Sequence, residues 1–136
     1  MVRPRGRMKH KRNLDQFFTN PDVAAWCASI AKKYASPNSI IEPSAGAGTL
    51  VDAAKKAFPK IPIRAYDIDP KRSDIMEADF LASSISPQEP KTALVFANPP
   101  FGKRSALAIK FFNRAAELAD ILAFCNYSQD SLSRRS

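Results

Sequence analysis

Four stretches of this 136-residue chain carry residue types that can do chemistry. Asn98-Pro99-Pro100-Phe101 places a side-chain amide, two proline carbonyls and an aromatic ring within four positions. Each proline has a fixed φ and no N–H, so the loop is stiff and its carbonyls are not drawn into a ladder. Alone, such a stretch reads as a strand-ending turn capped by a core phenylalanine; its neighbours change the balance. Glu42-Pro43 leads into Ser44-Ala45-Gly46-Ala47-Gly48, small residues that let a ligand approach the backbone. The third glycine of a dinucleotide fingerprint is missing. A carboxylate at Glu42 would repel a pyrophosphate and suit a cation. Asp67 follows the glycines by about 20 residues, the spacing at which an acid ending a second strand binds ribose hydroxyls. A turn aspartate is the competing reading, and Asp69-Pro70 fits that better. Asp79-Phe80 can hold an adenine ring, the acid accepting from the amino group and the ring packing on its face.

These residues need a frame that gathers them. Asn20 is a good helix N-cap and Pro21 suits the first helical position. Val23, Trp26, Ile30, Ala31 and Tyr34 then recur at helical spacing, which predicts a core-facing stripe. Phe17, Phe18 and Thr19 precede this helix as a hydrophobic staple or as one wall of a pocket. Ser39–Glu42 reads as a first strand and Thr49–Phe58 as a helix ended by Pro59. Ile61–Tyr66 reads as a second strand, with Pro62 marking an edge or a strand start. Ile75-Met76-Glu77-Ala78 leads to Asp79-Phe80-Leu81, a short third strand ending in an acid and an aromatic. Residues 82–90 are a surface loop. Thr92–Ala97 is an apolar run typical of a buried strand. Lys103–Ala119 is an amphipathic helix with Leu107, Phe111, Ala115 and Leu118 on one face, and Asp120–Phe124 begins a fifth strand. Strand and helix alternate, which predicts an α/β fold with a mostly parallel sheet and helices on both faces. Every proposed ligand residue then follows the C-terminal end of a strand, where open parallel sheets bind ligands.

The composition, 45% hydrophobic and 25% charged, fits one globular domain. No apolar run is long enough for a bilayer, and no apolar block follows the N-terminal basic residues as in a secretory signal. Cys27, Cys125 and His10 show no zinc or disulfide spacing, so a reducing compartment is expected. Of the net charge of +8, six units lie in residues 1–12, on Arg3, Arg5, Arg7, Lys9, Lys11 and Arg12, with no acid among them. Pro4 and Gly6 interrupt this arm, which is expected to be disordered. It serves solubility or contacts phosphates through counterion release.

Taken together, the motifs resemble those of the class I S-adenosylmethionine-dependent methyltransferases that modify the exocyclic amino group of adenine, most closely the viral and bacteriophage DNA methylases. The resemblance runs from about Leu14 to Phe124. LDQFFTNPDVA is similar to the segment before the family's first strand, which implies that Phe17, Phe18 and Thr19 touch the cofactor. IIEPSAGAGTL resembles the glycine-loop motif, placing Glu42, Pro43, Ser44, Gly46 and Gly48 in the cofactor site, with Glu42 near the methionine amino group. YDIDP implies Asp67 at the ribose and Ile68 under the adenine, and ADF brings Asp79 and Phe80 against that ring. NPPF is similar to the D/N/S-P-P-Y/F/W catalytic motif. An aromatic amine is a poor nucleophile because its lone pair is spread into the ring. Acceptors on its two hydrogens, the Asn98 side-chain oxygen and the Pro99 carbonyl, let the lone pair turn toward the methyl group. Phe101 stacks on a base that is flipped out or single-stranded. Positioning does most of the work, and no strong base is needed.

The resemblance implies S-adenosylmethionine as cofactor, no metal or membrane, nucleic acid as partner with DNA ahead of RNA, and a cytoplasmic location, or the host-cell interior for a viral protein. Three regions are expected: a basic arm at 1–13, a partial methyltransferase core at 14–125 and a polar tail at 126–136. Family members carry about seven strands and a target-reading region, whereas this pattern stops as strand five begins. A second copy or a partner chain is therefore expected to cover the sheet edge. The tail is expected to be an out-of-frame reading of a longer gene: codon degeneracy allows Cys125 to Asp130 to read Ala-Ile-Ile-Pro-Lys in the shifted frame. Two alternatives stay open. Protein glutamine methyltransferases also use N-P-P, usually with Tyr where this chain has Phe101. A non-catalytic cofactor- or nucleic-acid-binding remnant is the other.

Overall fold

The computed structural model describes residues 19–82, 85, 92–99 and 105–125. Its elements, in order, are α1 (Pro21–Tyr34), β1 (Ser39–Glu42), α2 (Thr49–Ala57), β2 (Ile63–Asp67), β3 (Ile75–Glu77), β4 (Ala93–Ala97), α3 (Ser105–Leu118) and β5 (Ile121–Phe124). The strands form one sheet in the order β3-β2-β1-β4-β5, and every pairing is parallel. This is an α/β, Rossmann-like architecture. Ile40 is flanked by Ile63 on one side and Leu94 on the other, so β1 and β4 form the centre. All residues of both strands are buried; β4 is apolar throughout, as a strand covered on both faces should be, whereas β1 buries Ser39 and Glu42 at its two ends.

Side chains alternate across the sheet. Ile40, Leu94 and Phe96 pack with α1 and α2 through Ala24, Ala28, Ala31, Leu50, Ala53 and Ala54. Ile41, Val95 and Ala97 pack on the other face with Ala115 and Leu118 of α3. The α1 start forms as expected: Asn20 accepts from the Asp22 N–H at 2.8 Å and Pro21 opens the helix. Its buried stripe differs from expectation. Ala24, Ala28 and Ala31 face inward, while Trp26 is 65% exposed and Tyr34 is also at the surface. Small side chains allow α1 and α2 to pack closely; a Trp in that seam would hold them apart.

One further expectation is corrected. The third strand is Ile75–Glu77, paired with Ala65–Asp67, and Asp79-Phe80-Leu81 lies in the turn after it. The cysteines are free thiols, remote in sequence yet adjacent in space. Burial, aided by a hydrogen bond with the Cys27 thiol, pushes Cys125 up to about 12. The α3 face is as expected, with Ala115 and Leu118 buried and Phe111 partly so. Lys103 and the segments 1–13 and 126–136 lie outside the described residues. Among the described residues, no helix is long and apolar enough to cross a membrane.

Candidate active site

The order of strands reverses between β1 and β4: from β1 the chain progresses to β2 and β3 on one side, and from β4 to β5 on the other. At such a switch point the loops leaving the two strands diverge and leave a crevice at their C-terminal ends. That crevice is present here. It holds about 320 Å³ of space including its open mouth, and Thr19, Glu42, Ser44, Ala45, Ala47, Thr49, Leu50 and Asn98 line it.

Glu42 ends β1 and is 2% exposed. Its Oε1 accepts from the Ser44 N–H at 2.8 Å. Its Oε2 is buried without a partner among the described residues, as is the Ser44 hydroxyl. Burial raises the Glu42 carboxyl to about 8, against the Ser44 N–H, which favours the ionised form, while the nearby charge of Asp67 adds to the rise. A buried carboxyl lacking half of its partners calls for a donor or a cation.

The glycine loop then turns back. Gly46 has φ 54° and Gly48 φ 89°, in the left-handed region that favours glycine. Gly48 caps α2 without a side-chain hydrogen bond, which leaves backbone donors at that helix start. Ala45 N–H donates to the Tyr66 carbonyl at 2.8 Å, and Gly46 N–H to Asp67 Oδ2 at 2.8 Å. Asp67 Oδ1 accepts from the Asp69 N–H at 2.7 Å. The acid at the end of β2 therefore ties the two loops together, and each of its oxygens retains a second lone pair for a ligand hydroxyl. Ile68, beside it, is 47% exposed.

Arg72 is a residue that the sequence pattern did not single out. Its Nη1 reaches both oxygens of Asp52 at 2.9 Å, and its Nε bonds Asp74 at 3.0 Å. Lys55 also reaches Asp74, at 3.0 Å. Arg72, and to a lesser degree Lys55, hold the Asp74 carboxyl well below the usual carboxylate range. A Cβ at Gly48 would overlap only the movable guanidinium end of Arg72, so it is the positive φ that asks for glycine here. The signal in the sequence was only the charge pattern, an arginine two residues before one aspartate and 20 after another.

Asn98 follows β4, and its Nδ2 donates to Thr19 Oγ1 at 3.0 Å. Pro99 is fully buried. Thr19, Glu42, Ser44 and Asn98 are thus gathered in one cleft, whereas Pro43, Gly46 and Gly48, in the loop after β1, and Asp67 and Ile68, at the end of β2, do not line it. Phe80 is placed differently. It is 2% exposed and stacks on Phe111 with centroids 5.6 Å apart, so its ring is a core element and not a free face for adenine. Asp79 is exposed, and its Oδ1 accepts from Leu81 N–H at 3.1 Å. Phe17, Phe18, Pro100, Phe101 and the basic residues Arg3, Arg5, Arg7, Lys9, Lys11 and Arg12 lie outside the described residues. No group of metal-binding side chains occurs among the described residues.

An all-parallel sheet with a glycine loop after β1, an acid ending β2 and a polar cleft at its switch point defines a Rossmann-like α/β fold. No known family model matches the chain. The chain is similar to the Type II methyltransferase M.VspI of Vibrio sp. (strain 343), with 29% identity over 112 residues. That match covers 70% of this chain but only 27% of the relative, so the chain spans about a quarter of that protein's length.

Proposed function

We propose that this chain forms the cofactor-binding and catalytic core of an S-adenosylmethionine-dependent methyltransferase that modifies the exocyclic amino group of adenine in nucleic acid, DNA ahead of RNA. The observation that carries the reading is that Glu42 and Asn98, from the adjacent central strands, line one cleft at the switch point. The likeness to a type II methyltransferase supports the same class.

The residues fit this cofactor. Glu42 Oε2, without a partner among the described residues, suits the ammonium of its methionine end. Asp67 suits the ribose hydroxyls, and the exposed Ile68 suits one face of the adenine. Bound there, the cofactor supplies a methyl group on a sulfonium, reactive enough to need orientation more than a strong base. Glu42 anchors the amino-acid end, and its carboxyl ionises against the ammonium. Asn98 Oδ1 and the Pro99 carbonyl accept the two hydrogens of the target amine, so its lone pair turns from the ring toward the methyl group. Holding the reactants in line is the main contribution of such a site. Phe101 stacks on the flipped base.

The test is transfer of a labelled methyl group to DNA, RNA and total protein. Label appearing as N6-methyladenine in DNA is the expected result. Label in protein glutamine transfers the reading to the protein-modifying class, and no label in any acceptor, from a sample that binds the cofactor, leaves a binding remnant.

A further inference from the structure

We propose that Arg72 is a positioning residue for the cofactor: it holds the glycine loop and the start of α2 in the shape that the cleft requires before anything binds. The inference rests on the reading of the cleft as a cofactor site. Gly46 and Gly48 both take left-handed backbone, with φ 54° and 89°, and glycine has the widest choice of other conformations. The segment is therefore poorly determined by its own sequence and needs restraint from outside. Gly46 is restrained by the bond from its N–H to Asp67 Oδ2. Gly48 sits between Ala47 and Thr49, which both line the cleft, and it is restrained by Arg72.

A guanidinium has donors only, so the direction of each of its bonds is fixed. Nε and Nη2 donate side by side to the two oxygens of Asp74, at 3.0 and 2.6 Å. That fork orients the remaining nitrogen, Nη1, toward α2. There it meets both oxygens of Asp52 at 2.9 Å and, more weakly, the Gly48 carbonyl at 3.4 Å. Asp74 is itself held from α2 by Lys55. Arg72 and Asp74 lie in the loop between β2 and β3, which the pairing of those strands anchors to the sheet. A lysine, with one nitrogen, cannot span the same partners. A loop that is already ordered removes an ordering penalty from binding, so the bridge acts on affinity and not on the transfer step. Its members are partly exposed, so salt screens it.

The test is calorimetric titration of S-adenosylmethionine into the full chain at low and at high salt. Arg72→Ala should weaken the Kd about threefold to fivefold at low salt, the scale of an exposed ionic network. At high salt its ratio to wild type should shrink toward one. Arg72→Lys should behave like Arg72→Ala, since it keeps the charge and loses the bridge. Asp52→Asn should weaken binding on its own and add little in the Arg72→Ala background, where the bridge is already gone. At saturating cofactor, kcat in Arg72→Ala should stay within about twofold of wild type. Wild-type affinity in Arg72→Ala or in Arg72→Lys, an unchanged ratio at high salt, additive losses in the double variant, or a larger fall in kcat each overturns the proposal. If Arg72→Ala does not fold, Asp52→Asn, which keeps the shape, decides: weaker, salt-sensitive binding supports the bridge, and wild-type binding overturns it. If folded wild type binds no cofactor, the underlying reading fails and this proposal falls with it; binding by wild type with an unchanged Kd in Arg72→Ala removes only the role of Arg72.

Discussion

The two sides of the sheet are built differently. The centre, β1 and β4, is buried at every residue and holds the cleft at its C-terminal end. The β5 side is half-buried along its length, and α3 beside it leaves Ile109 59% and Phe112 50% exposed. Phe112 meets Phe124 edge-on at 6.0 Å, so a small aromatic pair stands at the surface where the centre has interlocked layers. Catalytic groups need a rigid support, because small displacements of reacting atoms are costly. Glu42 and Asn98 sit at the end of the fully buried centre. The apolar surface around β5 does not bear on the cleft, and we propose that a partner chain or second copy covers it.

The comparison can be broken by mutation. Leu94→Ala, at a position with no exposure, should cost about 2–5 kcal/mol in a denaturant titration. Leu122→Ala, half-buried on β5, should cost less than half as much; equal costs would erase the distinction. Next in size, Asp67→Ala should weaken cofactor binding by about 1.5–3 kcal/mol, the range for hydrogen bonds to a charged group, with calorimetry as the measure. Arg72→Ala breaks an exposed network, and its effect should stay near or below about 1 kcal/mol and vanish at high salt. A large, salt-independent loss would mean that Arg72 holds the glycine loop as firmly as the core does.

Glu42 gives the contrast a pH signature. Its carboxyl is raised from 4.5 to about 8 by burial. Between those values the folded protein holds a proton that the unfolded chain has released, so stability falls as pH rises through this window. Glu42→Gln removes that slope, and its melting temperature should gain on wild type as the pH approaches 8. Parallel melting curves for the two proteins across pH 5–8 would show that Glu42 is not buried as described.

The centre was legible in the sequence because its rules are local. Ser39–Ile41 and the run before Asn98 are apolar or small stretches bounded by turn signals, as strands buried on both faces are. Asn20-Pro21 marks a helix start by its own chemistry. What was illegible depends on partners distant in sequence. The buried face of α1 is set by α2, whose approach favours Ala24, Ala28 and Ala31 over Trp26. Phe80 looks available beside Asp79 until Phe111, from α3, occupies its face. Arg72 acquires meaning only when the loop after β2 crosses Gly48. Cys27 and Cys125 become neighbours only when α1 lies over the end of β5. Within the site, residue types were readable, but the hydrogen bond from Asn98 to Thr19 was not.

The central claim is that the β1–β4 switch point binds S-adenosylmethionine and that Asn98 acts on chemistry and not on binding. Calorimetric titration of the cofactor into wild type, Glu42→Ala and Asn98→Ala tests it most directly. Saturable binding by wild type, strong weakening in Glu42→Ala and nearly unchanged affinity in Asn98→Ala is the predicted result. No binding heat from a folded wild-type sample, or an equal loss of affinity in both variants, would contradict it.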